Sequence, residues 1–418
     1  MNIDCPSRLQ EAYRAGLAAV AGDRRVTEAL ARRPLAGDDW VLVAVGKAAP
    51  AMVRGALATG QRFRRILLVT APGCGGRALA SARSGIELVL AGHPVPDAGS
   101  LAAGRRLLQW LAAADADQRW LFLWSGGASS LLEVPVPGLD LAGLQRLNRW
   151  LLASGLDIAR MNALRQRFSL VKGGRLAARL RGREARVLML SDVPGDDPAL
   201  IGSGPFVPAR PERPPVPPPE VVPRLPPAPP PGPASIPLQL EVLAGLAQAL
   251  EAAAGPLQRL GLRVVRHRER LAGDAAEVGR ALAEVLRGDQ RPTCHLWGGE
   301  TTVTLPPQPG RGGRCQHLAL AAAQVLDGHP GCCLLAAGSD GRDGNSALAG
   351  AWVDGSTAAR ARAGGWNIDA VLAAADSGTL VEALGLGVHT GPTGTNVADL
   401  VLGIRGETDG REATSCPQ

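Results

Sequence analysis

The sequence predicts an α/β fold built on a parallel, doubly wound sheet, with a second α/β domain after it. Three observations carry this. Apolar runs at 41–45, 66–70, 86–90, 119–124 and 186–190 alternate with amphipathic stretches, the pattern of buried parallel strands joined by crossover helices. Several of these runs end in glycine-rich or acidic turns, the places where open α/β sheets bind ligands. The chain has 418 residues, long for one domain, and residues 205–237 hold 16 of its 34 prolines and divide it near the middle.

The elements follow in order. VLVAV at 41–45 reads as a strand entering a glycine turn, with a helix starting near Ala48. ILLVT, IELVL, RWLFLW and RVLML supply four more strands. Leu141, Leu144, Leu147 and Leu151 recur at helical spacing, Asp140 can cap that helix and Gly155 can end it. In 205–237, proline removes the amide donor and fixes φ, so the stretch reads as an extended linker or surface excursion. Beyond it, 238–254 and 273–287 read as helices, and 295–298 and 301–305 as strands flanking Gly298-Gly299. A helix over 315–326, a strand over 332–337 and a strand over 398–404 that can close either sheet complete the chain, with a frayed tail. The expected organisation is 1–204, a proline-rich linker 205–237, a domain 238–405 and a tail 406–418.

Composition narrows the function classes. With 46% hydrophobic and 20% charged residues the chain is globular. No run approaches the ~18 apolar residues of a membrane span, and the N-terminus lacks a signal layout, so a soluble, cytoplasmic protein with no membrane partner is expected. The net charge of +7 rests almost wholly on arginine, since Lys47 and Lys172 are the only lysines. Aromatics are 3%, too few for nucleic-acid stacking platforms, so a small anionic substrate is the better reading of the basic excess. Seven cysteines without a C-x-x-C spacing make neither a disulfide framework nor a zinc site.

Chemistry concentrates in the turns. Gly46-Lys47-Ala48 follows the first strand, where free amides at a helix start and a compact ammonium suit an anion. Ser125-Gly126-Gly127 follows the fourth and forms an anion nest. Asp192, Asp196 and Asp197 lie within six residues at a strand end and suit Mg²⁺ or a hydroxyl proton. Beyond the prolines come Gly298-Gly299-Glu300, then Gly312-Gly313-Arg314, whose guanidinium is placed to hold a phosphate or carboxylate. Ser339-Asp340-Gly341 and Thr393-Gly394-Thr395-Asn396 add further turn material. His93-Pro94-Val95-Pro96-Asp97 reads as a rigid, shaped loop. Gly73-Cys74-Gly75-Gly76-Arg77-Ala78 matches a dinucleotide fingerprint, but Pro72 precedes it, the stretch to Gly85 is short for a crossover helix, and no ribose-binding acid follows.

Taken in order, these strings resemble the type II glycerate kinases, whose C-terminal part is called the MOFRL domain and whose members were also labelled hydroxypyruvate reductase. The resemblance spans roughly 6–405 apart from the proline segment, and includes Ser154-Gly155, Asn162, Arg165 and Lys172-Gly173-Gly174-Arg175. It implies a Rossmann-like N-terminal domain, a smaller α/β C-terminal domain and an active site in the cleft between them. It implies ATP- and Mg²⁺-dependent phosphorylation of D-glycerate at its 2-hydroxyl. The family's catalytic lysine and arginine match Lys47 and Arg314. Cys315 and His317 stand where the family usually has Asn and Glu, and Arg160 stands at the Glu of its Glu-Ile-Asn string.

On this reading Lys47 and Arg314 neutralise the transferring phosphoryl group and Asp192 orients or deprotonates the hydroxyl. Gly46, Ser125, Gly126, Gly127, Lys172, Gly312, Gly313, Thr393 and Asn396 bind the nucleotide, and Asp196, Glu300 and Asp340 hold Mg²⁺. The partner is a small molecule, and a homodimer is left open. The alternatives are an NAD(P)H-linked hydroxypyruvate reductase and a weakened or non-catalytic relative that binds glycerate or a nucleotide.

Overall fold

The computed structural model describes residues 4–209, 216–218, 220–222 and 238–406. The N-terminal half runs α1 (Cys5–Ala19), α2 (Gly22–Arg32), β1 (Trp40–Val45), α3 (Ala49–Ala58), β2 (Arg65–Thr70), α4 (Gly76–Ala82), β3 (Ile86–Leu90), α5 (Ala98–Ala112), β4 (Arg119–Trp124), α6 (Ala128–Leu131), α7 (Leu141–Ala153), α8 (Ile158–Arg167), α9 (Arg175–Ala178) and β5 (Ala185–Leu190). It continues β6 (Gln239–Ala244), α10 (Leu246–Gln258), β7 (Arg263–Arg266), α11 (Ala275–Gly288), β8 (Thr293–Gly299), α12 (Arg314–Leu326), β9 (Cys332–Gly338), β10 (Gly350–Asp354), α13 (Thr357–Ala363), α14 (Ile368–Ala373), α15 (Ser377–Ala383), β11 (Gly387–Val388) and β12 (Asp399–Arg405). No helix among the described residues is long and apolar enough to cross a membrane.

The chain forms two compact units. The first comprises Val20–Gly245 with Pro392–Val397, around a sheet of order β3-β2-β1-β4-β5-β6. All its strand pairs are parallel. The strand order reverses between β1 and β4, so the loops after these neighbours leave a crevice at the carboxyl edge. Every residue of β1 and β5 is buried, which is why they read as unbroken apolar runs. Phe206 packs on Phe122 and Trp124 and ties the turn after β5 to the core.

The second unit comprises the N-terminal helix, Leu246–Gly391 and the segment from Ala398. Its mixed sheet has the order β11-β10-β9-β12-β8-β7. β12 lies at its centre, antiparallel to both β8 and β9, which answers the question of which sheet 398–404 joins. Ten of the thirteen residues of α12 are buried, so this helix is the core on which the unit is built.

The observed units depart from the boundaries expected in sequence. α1 belongs to the second unit, where Leu9, Ala12, Tyr13 and Gly16 are buried and its backbone closely approaches α10. The proline-rich stretch does not separate the units: it leaves after β5, and the chain returns as β6 of the same sheet. Most of it lies outside the described residues, but Val221 and Val222 are buried against Leu144, Leu147 and Phe168, so that part packs rather than running free.

Two further expectations change. Residues 239–244 are strand, not helix, because Leu238, Leu240 and Val242 alternate toward the core, and α10 begins only after Gly245. Residues 301–305 form no strand. Thr302 makes a single bridge to Asp274, and Pro306-Pro307 then removes two amide donors.

Candidate active site

In the first unit, β1 and β4 are neighbours with Val45 opposite Trp124, so their following turns lie side by side. Gly46 has φ 134°, and a Cβ there would stand 2.0 Å from Ser125 Oγ. Only glycine permits this approach. The two turns are stitched together. Ser125 N–H donates to the Val45 carbonyl at 3.0 Å, Lys47 N–H to that of Gly126 at 3.0 Å, and Ala48 N–H to Ser125 Oγ at 3.2 Å. Ser125 is fully buried, so its hydroxyl holds the turn in shape.

Three further groups converge there. A Cβ on Gly127 would lie 3.0 Å from the His93 ring and 3.4 Å from Lys47 Cγ. A Cβ on Gly126 would lie 2.2 Å from both Asp192 Oδ2 and Asn396 Nδ2. Asn396 Nδ2 donates to Asp192 Oδ2 at 3.4 Å. The segment bearing Asn396 is anchored by Gly22 N–H to the Gly394 carbonyl and by Thr395 Oγ1 to the Val20 carbonyl. Gly46, Lys47, His93, Gly126, Gly127, Asp192 and Asn396 thus gather at the carboxyl edge where the strand order reverses, with Thr393 on the same anchored segment. This arrangement can hold an anion on backbone amides and a cation, with a carboxylate beside it.

Two expected members lie elsewhere. Lys172 is buried in an ion pair with Glu133, whose other oxygen accepts Ser169 Oγ. Burial lowers the Lys172 pKa and Glu133 opposes that shift. Its ammonium is held in that buried pair. Asp196, in the left-handed region at φ 53°, directs its carboxylate to Gly245.

In the second unit, Arg314 opens α12. Its Nε and Nη2 donate to Asp399 at 2.6 and 3.0 Å, and its Nη1 pairs with Glu300 at 2.5 Å. The fork expected to grip a phosphate is therefore already filled on one side by Asp399. Burial works against the arginine charge, yet Asp399 and Glu300 hold its pKa above the ordinary value. Burial raises the Asp399 pKa, and Arg314 pulls it back. Asp343 caps α12, accepting from Cys315 N–H and Gln316 N–H at 3.1 and 2.8 Å, and a Cβ on Gly313 would collide with it. Burial pushes Asp343 up to about 7, while those amides pull the other way. Gly338 has Asp340 and Asp399 beside its Cα, and its carbonyl accepts the buried Tyr13 hydroxyl at 2.7 Å.

The departures at 315 and 317 are interior. Cys315 is buried beside Asp399, and His317 faces Ser377 Oγ at 3.2 Å with its pKa lowered by burial. Both side chains are buried. Asp399 and Glu133 were missed in the sequence; the one available signal was a lone acid heading an apolar strand, as at Asp399.

Among the described residues, no three His, Cys, Asp or Glu side chains gather as metal ligands. Mg²⁺ needs fewer, since it keeps waters and binds through one or two carboxylates and substrate phosphates. Asp340 and the exposed Glu300 are hard-oxygen donors that fit that role. The G-x-G-x-x-A string follows β2 rather than β1, away from the strand reversal, and the seven-residue α4 is crossover enough to reach β3.

Comparison with known proteins gives consistent results. A family model described as a domain of unknown function, DUF4147, matches residues 8–214, and one described as the MOFRL family matches 293–399. The chain is 35% identical to the D-glycerate 2-kinase of Thermotoga maritima over 94% of its length and 97% of the relative. It is 36% identical to an Agrobacterium vitis protein carrying a hydroxypyruvate reductase name, over 78% of its length and 89% of that protein. The crystal structure of glycerate kinase from Thermotoga maritima superposes with a TM-score of 0.79 at 33% identity, covering 96% of this chain and 99% of that one.

Proposed function

The chain belongs to the type II glycerate kinase family, and from that premise we infer that it transfers the γ-phosphoryl group of ATP to the 2-hydroxyl of D-glycerate. The products are 2-phosphoglycerate and ADP. The observation that carries this reading is the grouping of Lys47, Gly126, Gly127, Asp192 and Asn396 where the parallel strand order reverses.

The chemistry asks for positioning and charge neutralisation rather than a covalent intermediate. Asp192, steadied by Asn396, orients the substrate hydroxyl and accepts its proton. Amides of the Gly126-Gly127 turn and the Lys47 ammonium bind phosphate oxygens, and Ser125 and Gly46 keep that turn in shape. Arg314 contributes a permanent positive charge oriented by Asp399, with Gly312 and Gly313 shaping its approach. Bound Mg²⁺ supplies charge neutralisation on the nucleotide phosphates, and Asp340 and Glu300 are the side chains offered to it. Glu300 is the more exposed partner of Arg314, so it can exchange the guanidinium for a cation or a phosphate-bound water. The seat of Asp196 against Gly245 favours a structural role over a metal-binding one.

The test is ADP release from ATP and Mg²⁺ with D-glycerate, run beside NADH consumption with hydroxypyruvate. ADP release dependent on D-glycerate supports the kinase reading, and NADH consumption without it supports the reductase reading.

A further inference from the structure

One buried cation of the first unit has no carboxylate paired with it among the described residues. Arg165 lies on α8, and burial lowers its pKa. Its Nε is enclosed and makes no hydrogen bond, and its Nη1 reaches only Asn162 Oδ1, at 3.5 Å. The carboxylate nearby is Glu133, and it is fully engaged. One oxygen accepts Ser169 Oγ at 2.5 Å and Val134 N–H at 2.9 Å, and the other pairs with Lys172. Two buried cations therefore share one carboxylate, and Lys172 holds it. An enclosed guanidinium with an empty donor is unfavourable unless an anion completes it.

The surroundings connect this cation to the transfer site. Asn162 Oδ1 accepts Ser203 Oγ at 2.8 Å, and Ser203 Oγ lies 2.9 Å from Ser129 Oγ. Ser129 stands on α6, two residues after Gly127. Ser203 itself has φ 63°, a left-handed conformation unfavourable for a serine, and Asn162 Nδ2 steadies that turn through the Leu200 carbonyl at 3.1 Å. A chain of polar contacts thus runs from the turn that carries Gly126 and Gly127 to the unpaired guanidinium.

We propose that Arg165 binds the carboxylate of the acceptor, with Asn162 and Ser203 setting its orientation. The site takes a small 2-hydroxycarboxylate, whose hydroxyl is one carbon away from the charged group. The proposal rests on the kinase reading for the reaction, but binding of the acid alone tests it separately. It also explains how an acid is chosen over a plain polyol: the carboxylate supplies the missing counter-ion, and an uncharged acceptor leaves it missing.

The test compares wild type with Arg165→Gln, using D-glycerate and glycerol as acceptors and thermal shift with D-glycerate in the absence of nucleotide. The expected result is a KM for D-glycerate raised at least ~100-fold, as for loss of a charge-assisted pair, with KM for ATP changed less than ~3-fold. The preference for D-glycerate over glycerol collapses, and stabilisation by D-glycerate alone disappears. The ligand-free variant melts no lower than wild type, because the lost charge was uncompensated. An unchanged D-glycerate KM, or a raised KM for ATP alone, overturns the proposal while leaving the kinase reading intact. If wild type transfers no phosphate to D-glycerate, the kinase reading fails, and loss or retention of the acid-induced thermal shift in the variant still decides the role of Arg165. Should Arg165→Gln not fold, Arg165→Lys keeps the charge but loses the fork. A KM for D-glycerate raised about tenfold supports the proposal and an unchanged one refutes it.

Discussion

Gly126→Ala is the sharpest structural perturbation of the transfer site. The new Cβ would stand 2.2 Å from Asp192 Oδ2 and 2.2 Å from Asn396 Nδ2, where ordinary contact begins at 3.4 Å. Each side chain must retreat by about 1.2 Å, and the hydrogen bond between them cannot survive both movements. A displacement of about 1 Å at a reacting group typically lowers the rate ~100-fold, or about 2.7 kcal/mol of transition-state stabilisation. Stability should change little, because Gly126 is not in the left-handed region and both colliding groups are half-buried side-chain ends. Gly127→Ala is the contrasting control: its φ of 86° adds a backbone strain of ~1 kcal/mol or more, so its melting temperature should fall as well. Steady-state kcat/KM with D-glycerate, read beside thermal melts, separates the two. A Gly126→Ala enzyme within about threefold of wild type would refute the role given to Asp192 and Asn396.

Further outcomes follow from the same geometry. Lys47→Ala and Arg314→Lys should each lower kcat at least ~100-fold in folded protein, the lysine at 314 preserving a counter-ion for Asp399; near-normal turnover in either removes that residue from the mechanism. Lys172→Met should instead lose about 3–5 kcal/mol of stability by leaving Glu133 buried and unpaired, and denaturant melts of this variant and of Lys172→Met with Glu133→Gln should show partial recovery in the double variant. Val221→Ala with Val222→Ala should cost about 2 kcal/mol together, and an unchanged melting temperature would mean the proline-rich segment does not pack against α7 and α8. Asp343, pushed up to about 7 by burial, binds its proton more tightly folded than unfolded. Its contribution is therefore complete below about pH 4 and declines as pH rises to about 7, so Asp343→Asn should flatten that decline in stability–pH curves.

The parts of this fold that were legible were local. Five strands of the parallel sheet announced themselves because strands buried on both faces are continuous apolar runs. Asp140 and the leucines of α7 marked that helix by spacing alone, and Asp140 indeed accepts Gly143 N–H. β6 was hidden because Leu-Gln-Leu-Glu-Val abuts an alanine-rich helix, and nothing local shows which sheet a strand will join. The candidate site was half legible. Gly46, Gly126 and Gly127 stood out as glycines, and Lys47 and Asp192 as charges at strand ends. The partner of Asp192 lies 204 residues away, and Glu133 lies 39 residues from Lys172. Sequence spacing carries no trace of such pairs, so the burial of Lys172 against Glu133 could not be read beside its expected nucleotide role.

The chemistry at issue is the transfer of phosphate to the 2-hydroxyl of D-glycerate. It is tested most directly by ³¹P NMR of the purified protein with ATP, Mg²⁺ and D-glycerate, the product identified against authentic standards. The expected products are 2-phosphoglycerate and ADP in equal amounts; 3-phosphoglycerate, or no transfer at all, would contradict transfer to the 2-hydroxyl.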